Sequence, residues 1–296
     1  MGLRFGYADT SFGQVHYAEQ GSGPVLLLLH QTPRSWDEFR ELIPLLAPGY
    51  RVIAMDMVGF GASAALPAPQ TIEAFAAGAW ALLDALDISG VAVLGHHTGA
   101  AVALEMAAAD PHRVEAAILS SCPWTDEAYR AGHAGSGGVD RAERAPDGRH
   151  LQTLWDLRRP YYPKPGTDLL DRFVHDALTF GMDPAEGHRA CARYRMEDRI
   201  GAVRAPVLLV GAAADPFSIG NLQTLRARLT AAPVVEEAIF ADGTVALIER
   251  EAPGIAAAVG RFLRVVRREP GCPADPTNKD RSADRAEPGP PGGPGE

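Results

Sequence analysis

The sequence predicts an α/β fold: a mostly parallel β-sheet flanked by helices, with an α-helical insertion. Three observations predict it. Short apolar runs alternate with stretches of helical periodicity from Pro24 to Leu119, the β-α-β-α-β rhythm of a parallel sheet. Runs such as Val25 to Leu29 are apolar at every position, as expected for strands covered on both faces. The rhythm weakens after Cys122 and resumes at Ala205, which places an insertion in one sheet domain rather than a second free domain.

Each element has its local reason. Phe5–Tyr7 and Gln14–Glu19 read as two strands, with Gly21 to Pro24 as a turn. The buried strand after Pro24 runs to His30, and Trp36 to Leu46 has helical periodicity that Pro48-Gly49 ends. Tyr50 to Met55 is the next strand. Thr71 to Leu86 is an amphipathic helix with Thr71 as its N-cap. Val91–Leu94 and Val114–Leu119 are strands on either side of a small-residue helix, Gly99 to Ala109. Within the insertion a glycine-rich loop, Ala131 to Gly138, precedes helices around Leu151–Arg159, Leu169–Thr179 and Arg189–Asp198. Strands at Ala205–Gly211 and Val234–Phe240 and a helix at Ile255–Arg267 close the core. From Glu269 on, seven prolines and five glycines in 28 residues cannot build a core, so a disordered tail is expected over 269–296.

Composition narrows the function classes. The 296 residues carry 37 acidic and 28 basic side chains, a formal charge of −9. That balance argues against a nucleic-acid groove, which needs a basic footprint, and against an anionic membrane surface. The first residues show neither a signal-peptide pattern nor a myristoylation signal, and no apolar run is long enough to span a membrane. The three cysteines, Cys122, Cys191 and Cys272, have no metal-ligand spacing. A cytoplasmic protein with a small-molecule substrate, no nucleic acid or membrane partner and a possible homodimer is the expectation. Gly59-Phe60-Gly61 lacks the third glycine of a dinucleotide site, and no metal or cofactor is expected.

Four segments follow strands in order: Leu29-His30-Gln31-Thr32-Pro33, Asp56 to Ser63, Gly95-His96-His97-Thr98-Gly99, and Gly211 to Pro216. Together they resemble the α/β-hydrolase superfamily over roughly residues 5–122 and 201–266. The resemblance implies a hydrolase core from 1–122 and 201–268, with a helical lid at 123–200. It also implies a nucleophile elbow, G-x-S-x-G, at residues 95–99. Here His97 stands at the serine position, and Thr244 stands where the family's last catalytic histidine opens H-x-x-x-x-E. No histidine follows His188. The acid position is kept as Asp215.

An imidazole on the elbow reaches further than a serine side chain, far enough to meet Asp215 directly. The expectation is a His97–Asp215 dyad, with one ring nitrogen held by the carboxylate and the other facing the pocket. The Thr98 N–H at a helix start, with Gln31 and Thr32 in the loop after His30, are the candidate donors for a substrate oxygen. Gln31 takes the place of a glycine and adds an amide, or else packs the loop. Trp124, Trp155, Tyr161 and Tyr162 either line an aromatic pocket or pack the lid on the core. The resemblance implies that His96 points away from the pocket, while His30 is read as fixing its loop and Asp56 as holding the Gly59–Gly61 turn. His175 and His188, in the lid, are either an extra acid or base or solvent-facing.

Three functions fit this sequence. The first is cofactor-free acid–base chemistry on a small carbonyl compound, of lyase, isomerase, cyclase or water-activating hydrolase type. The second is a non-catalytic small-molecule-binding protein with a degenerate triad. The third is ordinary hydrolysis by another nucleophile, such as Ser120, Ser121 or Cys122 at a strand end.

Overall fold

The computed structural model describes residues 2–133, 140–162, 166–179 and 181–267. Eight strands form one sheet: β1 (Arg4–Thr10), β2 (Gly13–Gln20), β3 (Val25–Leu29), β4 (Arg51–Met55), β5 (Val91–His96), β6 (Val114–Ser120), β7 (Val207–Ala212) and β8 (Val235–Phe240). Their order is β1-β2-β4-β3-β5-β6-β7-β8. β2 pairs antiparallel with β1 and with β4, and every later pairing is parallel.

The apolar runs split between two cores because successive side chains leave a strand on opposite faces. Leu27, Leu29, Ile53, Val93, Leu119 and Leu209 face the helices α2 (Ile72–Ala85) and α3 (Thr98–Ala109). Leu26, Leu28, Val52, Leu94, Ile118 and Leu208 face α1 (Ile43–Leu46) and the C-terminal helices, numbered below. All four leucines from Leu26 to Leu29 have no solvent exposure. At roughly 1.5–3 kcal/mol per buried leucine, burial on both faces explains why this run carries no polar residue.

The insertion between β6 and β7 supplies α4 (Glu127–His133), α5 (Arg149–Arg158), α6 (Thr167–Ala177) and α7 (Glu186–Cys191). After β7 come α8 (Leu222–Arg228), α9 (Leu247–Arg250) and α10 (Ala252–Val266). The insertion has its own apolar cluster, in which Leu154, Leu169, Leu170 and Phe173 pack with Val245 and Ala246 of the core. Polar links also tie it down. Arg34 Nε donates to Asp176 at 2.8 Å, and Tyr194 Oη donates to Glu105 at 2.8 Å.

Two expectations need adjusting. The helix expected over Trp36–Leu46 is a 3-10 turn, Trp36–Phe39, followed by α1. Pro44 lacks an N–H and belongs in a first helical turn, so a new helix starts there. The helix expected over Arg189–Asp198 is α7 plus a 3-10 turn at Met196–Asp198. The tail from Glu269 and most of the glycine-rich loop lie outside the described residues. Among the described residues no helix is long and apolar enough to cross a membrane.

Candidate active site

β3 and β5 lie side by side, but the chain leaves β3 toward β4 and β5 toward β6. Loops that depart in opposite directions open a crevice at the strands' C-terminal ends, where ligands bind in open α/β sheets. A cavity of about 520 Å³ occupies this position, lined by Gln31, Thr32, His97, Thr98 and Phe217 among others. That volume suits a small organic ligand.

His97 sits in the turn from β5 into α3 with φ 47° and ψ −113°, a backbone that L-residues rarely adopt. Two glycines make the turn possible. A Cβ on Gly95 would lie 2.0 Å from the Gly99 carbonyl oxygen, and one on Gly99 would lie 2.0 Å from the Leu29 carbonyl oxygen. The turn is pinned by the His97 N–H, which donates to the Ser120 carbonyl at 3.0 Å.

His97 Nε2 lies 3.0 Å from Asp215 Oδ2. The distance is that of a hydrogen bond, but the in-plane N–H direction misses the oxygen, so the pair has proximity without alignment. Asp215 is buried in the loop after β7. Its Oδ2 accepts from Ser218 Oγ at 2.6 Å, and its Oδ1 accepts from the Phe217 N–H at 3.0 Å. Burial pushes its carboxyl up, but the contacts with His97, Ser218 and Phe217 outweigh burial and hold it well below the usual carboxylate range. The other His97 nitrogen, Nδ1, has no partner among the described residues.

The neighbouring imidazole does a different job. His96 is fully buried, with Nδ1 3.0 Å from Ser120 Oγ and Nε2 3.1 Å from the Val245 carbonyl. Burial, and then the nearby His97, push its pKa down to about 3, so it stays neutral. It clamps the His97 turn to the loop that holds Thr244. Thr244 itself is half-buried, accepts from the Ala246 N–H at 3.3 Å, and does not line the cavity.

The hydroxyls of Thr32 and Thr98 meet at 2.9 Å on the cavity wall. Neither residue's backbone N–H has a partner among the described residues. Gln31 lines the cavity and is tied to Glu38. Its backbone N–H donates to Glu38 Oε2 at 2.8 Å and its amide to Glu38 Oε1 at 2.6 Å. A fully buried carboxyl needs donors, and Gln31 supplies both.

The aromatic expectation holds for one residue of four. Tyr161 lines the cavity, edge-on to Phe217 at 4.8 Å. Trp124, Trp155 and Tyr162 do not line it. The Trp124 indole donates to Asp126 at 2.8 Å, while Trp155 and Tyr162 pack inside the insertion's own cluster. Ser120, Ser121 and Cys122 are buried away from the cavity, and burial pushes the Cys122 thiol far up. Sequence reasoning passed over Asp140 and Arg158, which line the cavity from the insertion together with His188. They are far apart in the chain, and no local pattern joins them. His175 is exposed and lies elsewhere.

Many solved structures share this fold. Over 126 residues the chain is 36% identical to bifunctional epoxide hydrolase 2 of Sus scrofa, covering 41% of this chain and 23% of that protein. Over 133 residues it is 34% identical to epoxide hydrolase B of Mycobacterium tuberculosis, covering 44% of this chain and 36% of that one. The matched stretches thus span well under half the length of these curated relatives. An epoxide hydrolase from an endophytic Streptomyces superposes with a TM-score of 0.74 at 25% identity, covering 90% of this chain and 96% of that structure. An enol-lactonase from Burkholderia xenovorans superposes at 0.71 with 18% identity, covering 88% of this chain and 100% of that one, a likeness of fold alone. Residues 24–242 match the sequence model of the alpha/beta hydrolase fold, and the chain belongs to that family.

Proposed function

We propose that this protein is a cofactor-free acid–base enzyme acting on a small carbonyl-bearing molecule, with His97 as general base oriented by Asp215. The observation that carries this reading is the 3.0 Å approach of Asp215 Oδ2 to Nε2 of His97, which lines the cavity. The turn around His97 is the counterpart of the family's nucleophile elbow, and residues 123–200 act as a lid. With a carboxylate at Nε2, the free Nδ1 takes the proton. Rotation of the ring about its Cβ–Cγ bond aligns the pair once substrate is bound, since catalytic hydrogen bonds often tighten only in the complex.

The base removes a proton from the carbon beside a carbonyl, and the electron pair passes into an enolate. Thr32 and Thr98 offer their free N–H groups to the oxygen that gains the charge. A positioned base of this kind contributes about 10²–10⁴-fold in rate. A second reading is hydrolysis by a water that His97 deprotonates, favoured by the similarity to proteins named epoxide hydrolases.

The test is release of para-nitrophenol from para-nitrophenoxy-butanone, a β-aryloxy ketone that must lose a proton beside its carbonyl. His97→Ala is expected to lose most of the turnover. His97→Ser should not restore it, because its hydroxyl finds Thr244 rather than an activating histidine. Asp215→Asn should retain more than either. A serine-directed fluorophosphonate should leave the protein unlabelled. Wild-type turnover by His97→Ala overturns the reading, and tight binding of the ketone without turnover makes the protein a binder.

A further inference from the structure

We propose that His188, held by Asp140, is the second proton-transfer residue of this site, a general acid that protonates the oxygen leaving the substrate. The inference rests on His97 being the base, and it narrows the substrate class to carbonyl compounds with an oxygen substituent on the β-carbon.

The geometry begins with α7. Gly187 packs so closely on Thr32 that a Cβ there would lie 2.2 Å from Thr32 Oγ1. Cys191, about one turn along, has its Sγ 3.8 Å from Thr98 Oγ1. His188 and Cys191 line the same cavity as His97, so the helix that carries His188 sits against the two threonines whose N–H groups are free.

His188, like His97, has a carboxylate beside its Nε2, and here the hydrogen bond is made. Its Nε2 lies 2.8 Å from Asp140 Oδ2, and the same carboxylate accepts from Arg158 Nη2. Asp140 is buried and adopts φ 65°, a left-handed conformation that a non-glycine residue keeps only where its surroundings hold it. Arg158 is also buried, and its guanidinium stacks 4.8 Å over the Phe173 ring. Burial alone would push the Asp140 carboxyl up, but Arg158 and His188 together draw it below its ordinary range. Asp140 fixes the ring at Nε2 and leaves Nδ1, which has no partner among the described residues, as the atom that hands over the proton. The insertion thus presents a His–Asp pair to the cavity that the core's His97–Asp215 pair also faces.

The step balances. His97 Nδ1 takes the proton from the α-carbon. That C–H electron pair becomes the new C=C bond, and the β-carbon–oxygen bond breaks with its electron pair on oxygen. His188 Nδ1–H gives its proton to that oxygen, so an unsaturated carbonyl compound and an alcohol leave. The proton gained by His97 and the one lost by His188 re-equilibrate through water, and no oxidant or co-reactant is needed.

Leaving-group dependence tests this, because an acid matters most for a poor leaving group. Para-nitrophenoxy-butanone and phenoxy-butanone differ only there. His188→Gln, and Asp140→Asn as a second variant that keeps the imidazole, are expected to slow the phenoxy compound at least about 10-fold more than the nitrophenoxy compound. His97→Ala should slow both alike, which separates failure of the base from failure of the acid. Equal slowing of both compounds by His188→Gln, or none, overturns the proposal. A readout without turnover uses wild-type protein and para-nitrophenolate, which stands in for the departing oxygen. Heteronuclear NMR of the labelled histidines should show the His188 Nδ1 resonance shifting as the phenolate oxygen takes up its hydrogen bond. An unchanged His188 signal at saturation overturns the proposal whatever the turnover.

Discussion

A methyl group on Gly95 would collide with Gly99, because the position its Cβ would take lies 2.0 Å from the Gly99 carbonyl oxygen. The obstacle is backbone, so no side-chain movement relieves it. Gly95→Ala and Gly99→Ala are each expected to cost about 3 kcal/mol or more, at the upper end of overpacking. Urea denaturation midpoints check this, and a near-neutral value would mean that the β5–α3 turn relaxes freely.

Asp215 should mark the acid limb of stability. Its carboxyl is held below the ordinary range in the folded protein, so the unfolded chain binds the proton more readily. Its contribution is complete above the unfolded value of ~3.9 and is lost as pH falls toward the folded one. The difference in unfolding free energy between wild type and Asp215→Asn should therefore be constant near neutrality and shrink below about pH 4. A difference that grows on acidification would reverse the assignment.

Glu38 should act with the opposite sign. It is fully buried beside Arg34, which also donates to Glu249 at 2.5 Å and to Asp176 at 2.8 Å. Burial first, and then the Glu249 carboxylate, push Glu38 up to about 8. The folded state then keeps a proton that the unfolded chain releases, so stability falls as pH rises from about 5 to about 8. Glu38→Gln should flatten that slope in denaturation curves, and an unchanged slope would place the proton elsewhere.

Thr71 caps α2, its Oγ1 accepting from the Ala74 N–H at 3.1 Å. Thr71→Ala should cost about 1 kcal/mol and Thr71→Ser much less, since the hydroxyl oxygen is what satisfies the helix end. Melting temperatures of the two variants distinguish a cap from a packing role.

The amino-acid sequence by itself determined the sheet, because a strand buried on both faces must be apolar throughout, as Leu26 to Leu29 are. It also placed the β5–α3 turn, since Gly95 and Gly99 mark a backbone approach that only glycine allows. His97 and Asp215 were legible as candidates because the segments that carry them resemble the elbow and the acid loop of the α/β-hydrolase superfamily. Tertiary structure decided what depends on contacts between distant residues. Gln31 reads as a free amide until Glu38, seven residues on, turns back to take its backbone N–H and one N–H of its amide. Trp155 and Tyr162 read as pocket aromatics, yet their rings satisfy the insertion's own core first. Asp140, Arg158 and His188 come from separate parts of the insertion, and only folding brings one carboxylate between a guanidinium and an imidazole. Periodicity reports which face of an element is buried; which polar groups meet depends on how the elements pack, and that is not a local property of the chain.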